Sequence, residues 1–369
     1  MKFLYGSTKN ADMLYALGLH VYESAFFIDK GKEKRVFLDS LDFGFFNGKN
    51  KNKKIGVEPF HVFAKRARLN KDKVGFRAKL VFEIIAEKRL LKKEIVVPAD
   101  FPLDIAEYLM GKGVKIKNVE NIYPERAVKT KQEIKNISGA LQRTTKAFIR
   151  VEEILKESVI EGKHVCFKGR ILTSEFLKKE ASKVFAENDL LPTEGMIISC
   201  ALQSAIPHHA GQGPILAHQP LIVDLFPRDI KTGYFADMTR TYVKGKPSAR
   251  LRKMYDAVCE AQEAAFKKIK AGVKVADVHK ACVKVFAKRG FHSGEKGFIH
   301  STGHGLGLEL HEQPHVGLRS ELLQNGNVIT VEPGLYYHKI GGVRIEDVVL
   351  VTKNGYRKLV SYPCRNFFP

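Results

Sequence analysis

The chain has 369 residues, 44% of them apolar and 28% charged, and its 62 Lys and Arg against 40 Asp and Glu give a net charge of +22. That balance excludes a disordered tail, a collagen-like repeat and a membrane bundle. The length passes the roughly 250–300 residues at which single cores stop growing, so two domains are expected. No run reaches the roughly 18 apolar residues of a membrane span, and the N-terminal segment lacks a signal-like apolar stretch. A cytoplasmic protein with no membrane partner is therefore expected. The five cysteines, Cys166, Cys200, Cys259, Cys282 and Cys364, are odd in number and form no CxxC. They read as reduced packing residues rather than a disulfide framework or a four-cysteine zinc site. The basic excess is densest from Lys49 to Lys79, through Lys51, Lys53, Lys54, Lys65, Arg66, Arg68, Lys71 and Lys73. No aromatic nucleic-acid signature accompanies it, so it reads as a solvated basic face and nucleic acid is not an expected partner.

Residues 1–122 alternate short apolar runs with polar breaks. Runs 24–29 and 35–39 read as strands joined by Lys30-Gly31-Lys32, runs 80–85 and 94–98 as two more, and 106–110 as a short helix closed by Gly111. Together they predict a small α/β domain. From Pro124 the texture changes. Apolar residues at three-to-four spacing, Ile134, Ile137, Leu141, Val151 and Ile154, predict an amphipathic helix over about 126–156. Further helices are expected from Thr173–Ser174 to about 188, from Ala249 to about 271, and from Val275 to about 289. Strand-like runs at 196–200, 220–225, 233–242, 327–331 and 342–351 interleave with them. The fold class expected is α+β, with domains over 1–122 and 123–369.

Ten of the 13 histidines fall between His208 and His338, interleaved with acidic residues on predicted strands. Asp224 ends an apolar run and needs a partner if buried. A hairpin joining 220–225 to 233–242 would bring Asp237 near it, and two carboxylates that close repel unless a cation lies between them. The alternative is Asp224 in a turn and Asp237 paired with Arg240. In 300–312 the glycines form GxGxG outside any βαβ unit, which excludes a dinucleotide loop, and they let the backbone pass close to a ligand. His311-Glu312-Gln313-Pro314-His315 matches HExxH, but Pro314 forbids the helix that zincin motif requires. Glu332 closes a strand before Pro333-Gly334. Arg344 and Glu346 fall on one face of a predicted strand by period two. Asp224, Asp237, His304, Glu332 and Glu346, four carboxylates and one imidazole, suit two divalent ions such as Mn, Co, Fe or Zn, and such a pair activates water for hydrolysis.

These elements, in this order, resemble the metal-dependent aminopeptidase family of pita-bread fold, which includes Xaa-Pro aminopeptidases, prolidases and methionine aminopeptidases. The Xaa-Pro branch fits best. Ile206-Pro207-His208, His300 four residues before His304, His311 seven after it, Glu332-Pro333-Gly334 and Arg344-Ile345-Glu346-Asp347 carry the match over roughly 126–363. Residues 1–122 resemble the creatinase-type N-terminal domain of that branch. The resemblance implies metal ligation by Asp224, Asp237, His304, Glu332 and Glu346, with two divalent ions, Mn ahead of Co, Zn or Fe. Glu332 would also shuttle the proton of the attacking water. His208 and His311 would contact substrate and stabilise the tetrahedral intermediate, His300 would line the proline-side pocket, and Arg344 would buttress the site. The implied substrate is a peptide with proline second, taken either as a dipeptide or at the N-terminus of a longer chain, and the implied assembly is a homodimer. Two departures stand out: the Asp224–Asp237 interval is about two residues longer than the family pattern, and 200–206 lacks its usual Gly and Asn, which leaves His209 as an alternative to His208. A methionine aminopeptidase-like enzyme and a basic nucleic-acid-binding homologue are the alternative functions.

Overall fold

A computed structural model describes residues 1–50, 55–363 and 367–368. Lys51, Lys53, Lys54 and Cys364 lie outside the described residues. The chain divides into two compact units, Met1–Pro124 and Glu125–Pro369. Among the described residues no helix is long and apolar enough to cross a membrane.

The first unit is built on a six-stranded mixed sheet, in the order Ile55–Pro59, Lys34–Leu38, Ala25–Asp29, Lys2–Gly6, Ile95–Pro98, Ile116–Val119. One sheet face packs Phe3, Phe26, Ile28 and Phe37 against helices, and the other buries Leu4, Phe27, Val36 and Leu38. The 80–85 run, expected as a strand, lies instead in the helix Phe76–Glu87. Ala78, Val81 and Ile85, at three-to-four spacing, are all fully buried against that first face. A six-residue apolar run fits either element, and only the sheet it packs on decides between them.

In the second unit the helix Lys131–Glu157 opens with a capping box. Glu133 N–H donates to Thr130 Oγ1 at 3.3 Å, and Thr130 N–H donates to Glu133 Oε2 at 2.7 Å. These bonds satisfy two of the orphaned donors of the first turn. The helix therefore starts after, not at, Arg126, which sits in a 3-10 turn at Pro124–Ala127. Thr173 caps Ser174–Glu187 through its side chain. Ala249–Phe266 stops short of Gly272 and is followed by Val275–Lys288.

Beside three smaller two- or three-stranded sheets, the described residues form two larger ones, antiparallel apart from one edge pairing. One runs Ile197–Cys200, Leu221–Leu225, Met238–Lys244, with Phe367–Phe368 adding in parallel at its edge. The other runs Glu312–Val316, Gly303–Gly305, Val328–Val331, Asp347–Val351, Tyr356–Lys358. The helices Ala249–Phe266 and Val275–Lys288 cover the second sheet, burying Met254, Val258, Phe266 and Cys282 with Ile329, Val331, Val349 and Val351.

The 342–351 run is not one strand. Gly341–Arg344 forms a hairpin with Gly334–Tyr337, and Asp347–Val351 pairs with Val328–Val331. Ile345 and Glu346 lie at the break. The glycines of the GxGxG segment have a packing use in the fold. A Cβ at Gly303 would stand 2.0 Å from the Thr330 carbonyl oxygen, and one at Gly305 would stand 2.2 Å from that of Gln313. They let a short strand fit tightly between its two neighbours.

Gly303→Ala is therefore expected to cost about 1–3 kcal/mol or more by overpacking. Gly139→Ala, in the interior of Lys131–Glu157 with open space around it, should gain about 0.5–1 kcal/mol. Urea unfolding of the two variants checks both signs.

Candidate metal centre

Asp224 sits near the end of Leu221–Leu225, which pairs antiparallel with Met238–Lys244 so that Asp224 faces Thr239 and Leu225 faces Met238. Asp237 precedes that second strand and is buried. Arg240 is not its partner, since that guanidinium pairs with Asp347 Oδ1 at 2.7 Å. The carboxylate–arginine alternative for Asp237 is thereby removed.

His304 lies in the strand Gly303–Gly305, wedged between Glu312–Val316 and Val328–Val331. Its Nδ1 is 3.0 Å from the Gly305 carbonyl. A carbonyl only accepts, so Nδ1 carries a proton, and Nε2 is the atom turned to the cluster, as N–H to a carboxylate or as a lone pair to a cation. Nε2 faces Glu332 Oε1 at 3.3 Å and Asp237 Oδ2 at 3.6 Å. Glu332 follows Val328–Val331, and its Oε1 accepts from Thr330 Oγ1 at 3.2 Å. Glu346 lies at the strand break, where its Oε2 accepts from Thr239 Oγ1 at 2.8 Å. Gln262 Nε2, buried in the covering helix, donates to the carbonyls of Val331 and Ile345 at 2.9 and 3.3 Å, tying down the residues just before Glu332 and Glu346.

Ligand atoms of Asp237, His304 and Glu346 all lie within 4.8 Å of one another. Glu332 adjoins them through His304, and Asp224 from the paired strand. Burial, then the neighbouring carboxylates, push the Asp237 and Glu346 carboxyls well above the usual range. Burial also raises Asp224, against the pull of Arg344. Burial alone would raise Glu332 too, but the hydrogen bond from His304 brings it down to about 2. His304 in turn is raised: burial opposes the imidazolium, and the bond to Glu332 outweighs it. Among the described residues, Asp224 Oδ1 and Glu346 Oε1 are buried with no hydrogen-bond partner. Two orphaned carboxylate oxygens, crowded anions and one imidazole lone pair form a donor set for divalent cations, and the residues present fit such ions.

A second layer surrounds this cluster. Arg344 Nη2 donates to Asp224 Oδ2 at 2.6 Å, Nη1 to the Tyr336 hydroxyl at 2.7 Å, and Nε to Thr239 Oγ1 at 3.3 Å. Arg344 is buried with all three kinds of donor nitrogen engaged, so it backs the cluster rather than lining an open face. His300 Nδ1 lies 2.7 Å from the Ser301 carbonyl and therefore carries a proton, leaving Nε2, 2.9 Å away, to accept from the Tyr336 hydroxyl. The imidazole is neutral in that arrangement, and burial lowers its pKa.

His311 is exposed, with its ring 4.2 Å from that of His304. His208 is exposed and close enough to His300 and His311 to depress both. His209 Nδ1 accepts from Gly211 N–H at 3.0 Å, so its ring is engaged in its own turn. The HExxH segment is extended, over Glu312–Val316, and buried Glu312 pairs with Arg126 and Lys129 at 2.5 and 2.7 Å. Tyr336, Gln262, Thr239 and Thr330 were not singled out from sequence. Only Thr239 has a signal there, two residues after Asp237 within the run 233–242 expected as a strand.

A family model described as metallopeptidase family M24 matches residues 135–353. A Pyrococcus horikoshii protein named Xaa-Pro dipeptidase is 35% identical over 276 residues, 73% of each chain. A Pyrococcus furiosus protein of the same name is 36% identical over 250 residues, 67% of each. The solved prolidase from Pyrococcus furiosus superposes with a TM-score of 0.78 at 26% identity, covering 98% of this chain and 96% of that one. The X-Pro aminopeptidase from Thermotoga maritima shares the fold, with a TM-score of 0.79 at 22% identity over 100% and 97% of the chains.

The crowded carboxyls set a stability test. With chelator present, folded protein holds the Asp237 and Glu346 protons more tightly than the unfolded chain does. Their contribution is then favourable below the ordinary carboxylate value of about 4 and is lost as pH rises through the raised folded values. Glu346→Gln should melt above wild type at pH 7 in chelator, by about 2–4 °C per kcal/mol of repulsion relieved. The gap should close at about pH 4, and added Mn2+ should reverse the order. Melting curves at the two pH values, with and without Mn2+, check it.

Proposed function

From the premise that the chain belongs to metallopeptidase family M24 and has the pita-bread fold, we propose that this hydrolase cleaves the bond preceding proline, in Xaa-Pro dipeptides or at the N-terminus of longer peptides. The observation that carries this reading is the buried Asp237–His304–Glu346 cluster with His208, His300 and His311 beside it. The names of the relatives, Xaa-Pro dipeptidase at 35 and 36% identity, support the proline preference over a methionine aminopeptidase.

Asp224, Asp237, His304, Glu332 and Glu346 would hold two divalent ions, with Mn2+ the first candidate. When bound, such ions lower the pKa of a water and polarise the scissile carbonyl. The chain's own groups do the rest. Glu332 takes the proton of the attacking water and returns it to the leaving amine. Its carboxyl stands ionised: burial alone would raise it, and the hydrogen bond from His304 brings it down to about 2. His311, its charged form disfavoured by partial desolvation and by His304, would donate N–H to the oxygen of the tetrahedral intermediate together with His208. His300 sits 5.3 Å, ring to ring, from both Phe298 and Tyr336. That aromatic wall suits a pyrrolidine ring.

The test is hydrolysis of Xaa-Pro dipeptides and Xaa-Pro-Xaa tripeptides after chelation and after adding back Mn2+, Co2+ or Zn2+. Metal-restored release at the Xaa–Pro bond is expected, and the preferred length assigns dipeptidase or aminopeptidase. Glu332→Gln should lower kcat by about 10²–10⁴-fold, and His304→Ala should abolish turnover. Folded wild-type protein that cleaves neither length with any of the three metals would sink the proposal.

A further inference from the structure

Among the described residues, Arg240 is one of the largest side chains wholly excluded from solvent. It lies on Met238–Lys244, three residues after Asp237 and next to Thr239. Nη1 donates to the Thr239 carbonyl at 2.8 Å and to the Glu346 carbonyl at 2.6 Å. Nη2 donates to Asp347 Oδ1 at 2.7 Å and to the Tyr362 carbonyl at 2.8 Å. The second oxygen of Asp347 accepts from Lys358 Nζ at 2.8 Å. One planar fork thus meets four acceptors, which a lysine ammonium, with three donors around one point, cannot reproduce.

The place of those acceptors gives the fork a role. Glu346 falls where Gly341–Arg344 leaves one hairpin and Asp347–Val351 joins another sheet, so it belongs to neither ladder. Its main chain is held instead by the Met238–Lys244 strand: its N–H donates to the Thr239 carbonyl at 3.0 Å, and its own carbonyl accepts from Arg240. Thr239 Oγ1 then holds one oxygen of the Glu346 carboxylate. The other oxygen has no hydrogen-bond partner among the described residues, and the carboxylate belongs to the Asp237–His304–Glu346 group.

We infer that Arg240, neutralised by Asp347, is a positioning residue for the metal centre: it replaces the missing sheet hydrogen bond at the break and fixes the backbone from which Glu346 reaches the cations. The inference rests on the metal reading of this site. Asp347 lets the guanidinium act as a geometric clamp while its charge is balanced locally rather than by the Glu346 carboxylate. A purely structural ion pair would set stability and leave the affinity of the folded site for metal unchanged.

The two roles separate in a calorimetric titration of the full-length chain with Mn2+, run beside thermal melting. Arg240→Lys keeps the charge and loses the fork. The double variant Arg240→Met, Asp347→Leu removes both buried charges, an exchange that often leaves stability intact. In both, the Mn2+ dissociation constant should rise about 10–100-fold, the usual effect of removing an outer-shell partner. The double variant should do so while melting near wild type. Affinity within about two-fold of wild type in either cooperatively melting variant overturns the inference, being well short of the outer-shell effect. Collapse of both variants to unfolded chain assigns Arg240 to structure and overturns it equally. Wild-type protein that takes up no Mn2+, Co2+ or Zn2+ removes the metal reading as well, whereas wild-type uptake with unchanged variants removes only the role of Arg240.

Discussion

Four carboxylates brought together out of water repel one another and lose their hydration, and the architecture of the second unit is organised around that difficulty. The protein relieves it only in part. Arg344 takes Asp224, and His304 takes Glu332. Asp237 and Glu346 are left to hold protons or to meet a cation, and two buried carboxylate oxygens have no donor at all. A fold that needed only stability would place apolar residues there. Retaining the charges is what a site for divalent ions requires, and family membership points the same way.

The ligand-bearing residues come from five separated segments, so their relative placement is a matter of sheet register. Antiparallel pairing of Leu221–Leu225 with Met238–Lys244 sets Asp224 beside the start of the strand that follows Asp237. The tight fit of Gly303 and Gly305 between two strands holds the His304 backbone close to Thr330 and Gln313. From behind, the buried amide of Gln262 fixes the carbonyls just ahead of Glu332 and Glu346. Asp224 and His304 lie on strands, and Asp237, Glu332 and Glu346 are each one or two residues from a strand end, so the strands and the helices packed against them fix the backbone at every ligand.

The outer polar groups have a direction. Arg344 donates to Tyr336, Tyr336 to His300, and His300 to the Ser301 carbonyl, a chain in which every proton has an assigned owner. Such a chain holds the imidazole of His300 in one tautomer and keeps Arg344 turned toward Asp224. Arg344 is thus occupied inside the protein, and the exposed histidines His208 and His311 are the ones open to a ligand.

Much of the architecture was legible from local chemistry. The N-cap Thr173 and the long helical periodicities lie in short segments, and the residues that form those helices carry the signal themselves, whereas the start expected at Arg126 was set instead by the capping pair Thr130 and Glu133. The α+β class and the family resemblance also follow from sequence, because the motifs around Asp224, His304, Glu332 and Glu346 are contiguous. Elsewhere the information was not local. The 80–85 run became a helix because of the sheet face it covers, and the 342–351 run broke in two because its halves serve different hairpins. The partner of Arg240 is 107 positions away, and Tyr336 and Gln262 act only through residues brought near by folding. Sequence by itself determined which groups this protein can offer a metal and a peptide, since that depends on residue identity. Tertiary structure alone decided which of them meet, which oxygens stay unpaired and which cation stands behind them, because those contacts are set by packing between distant segments.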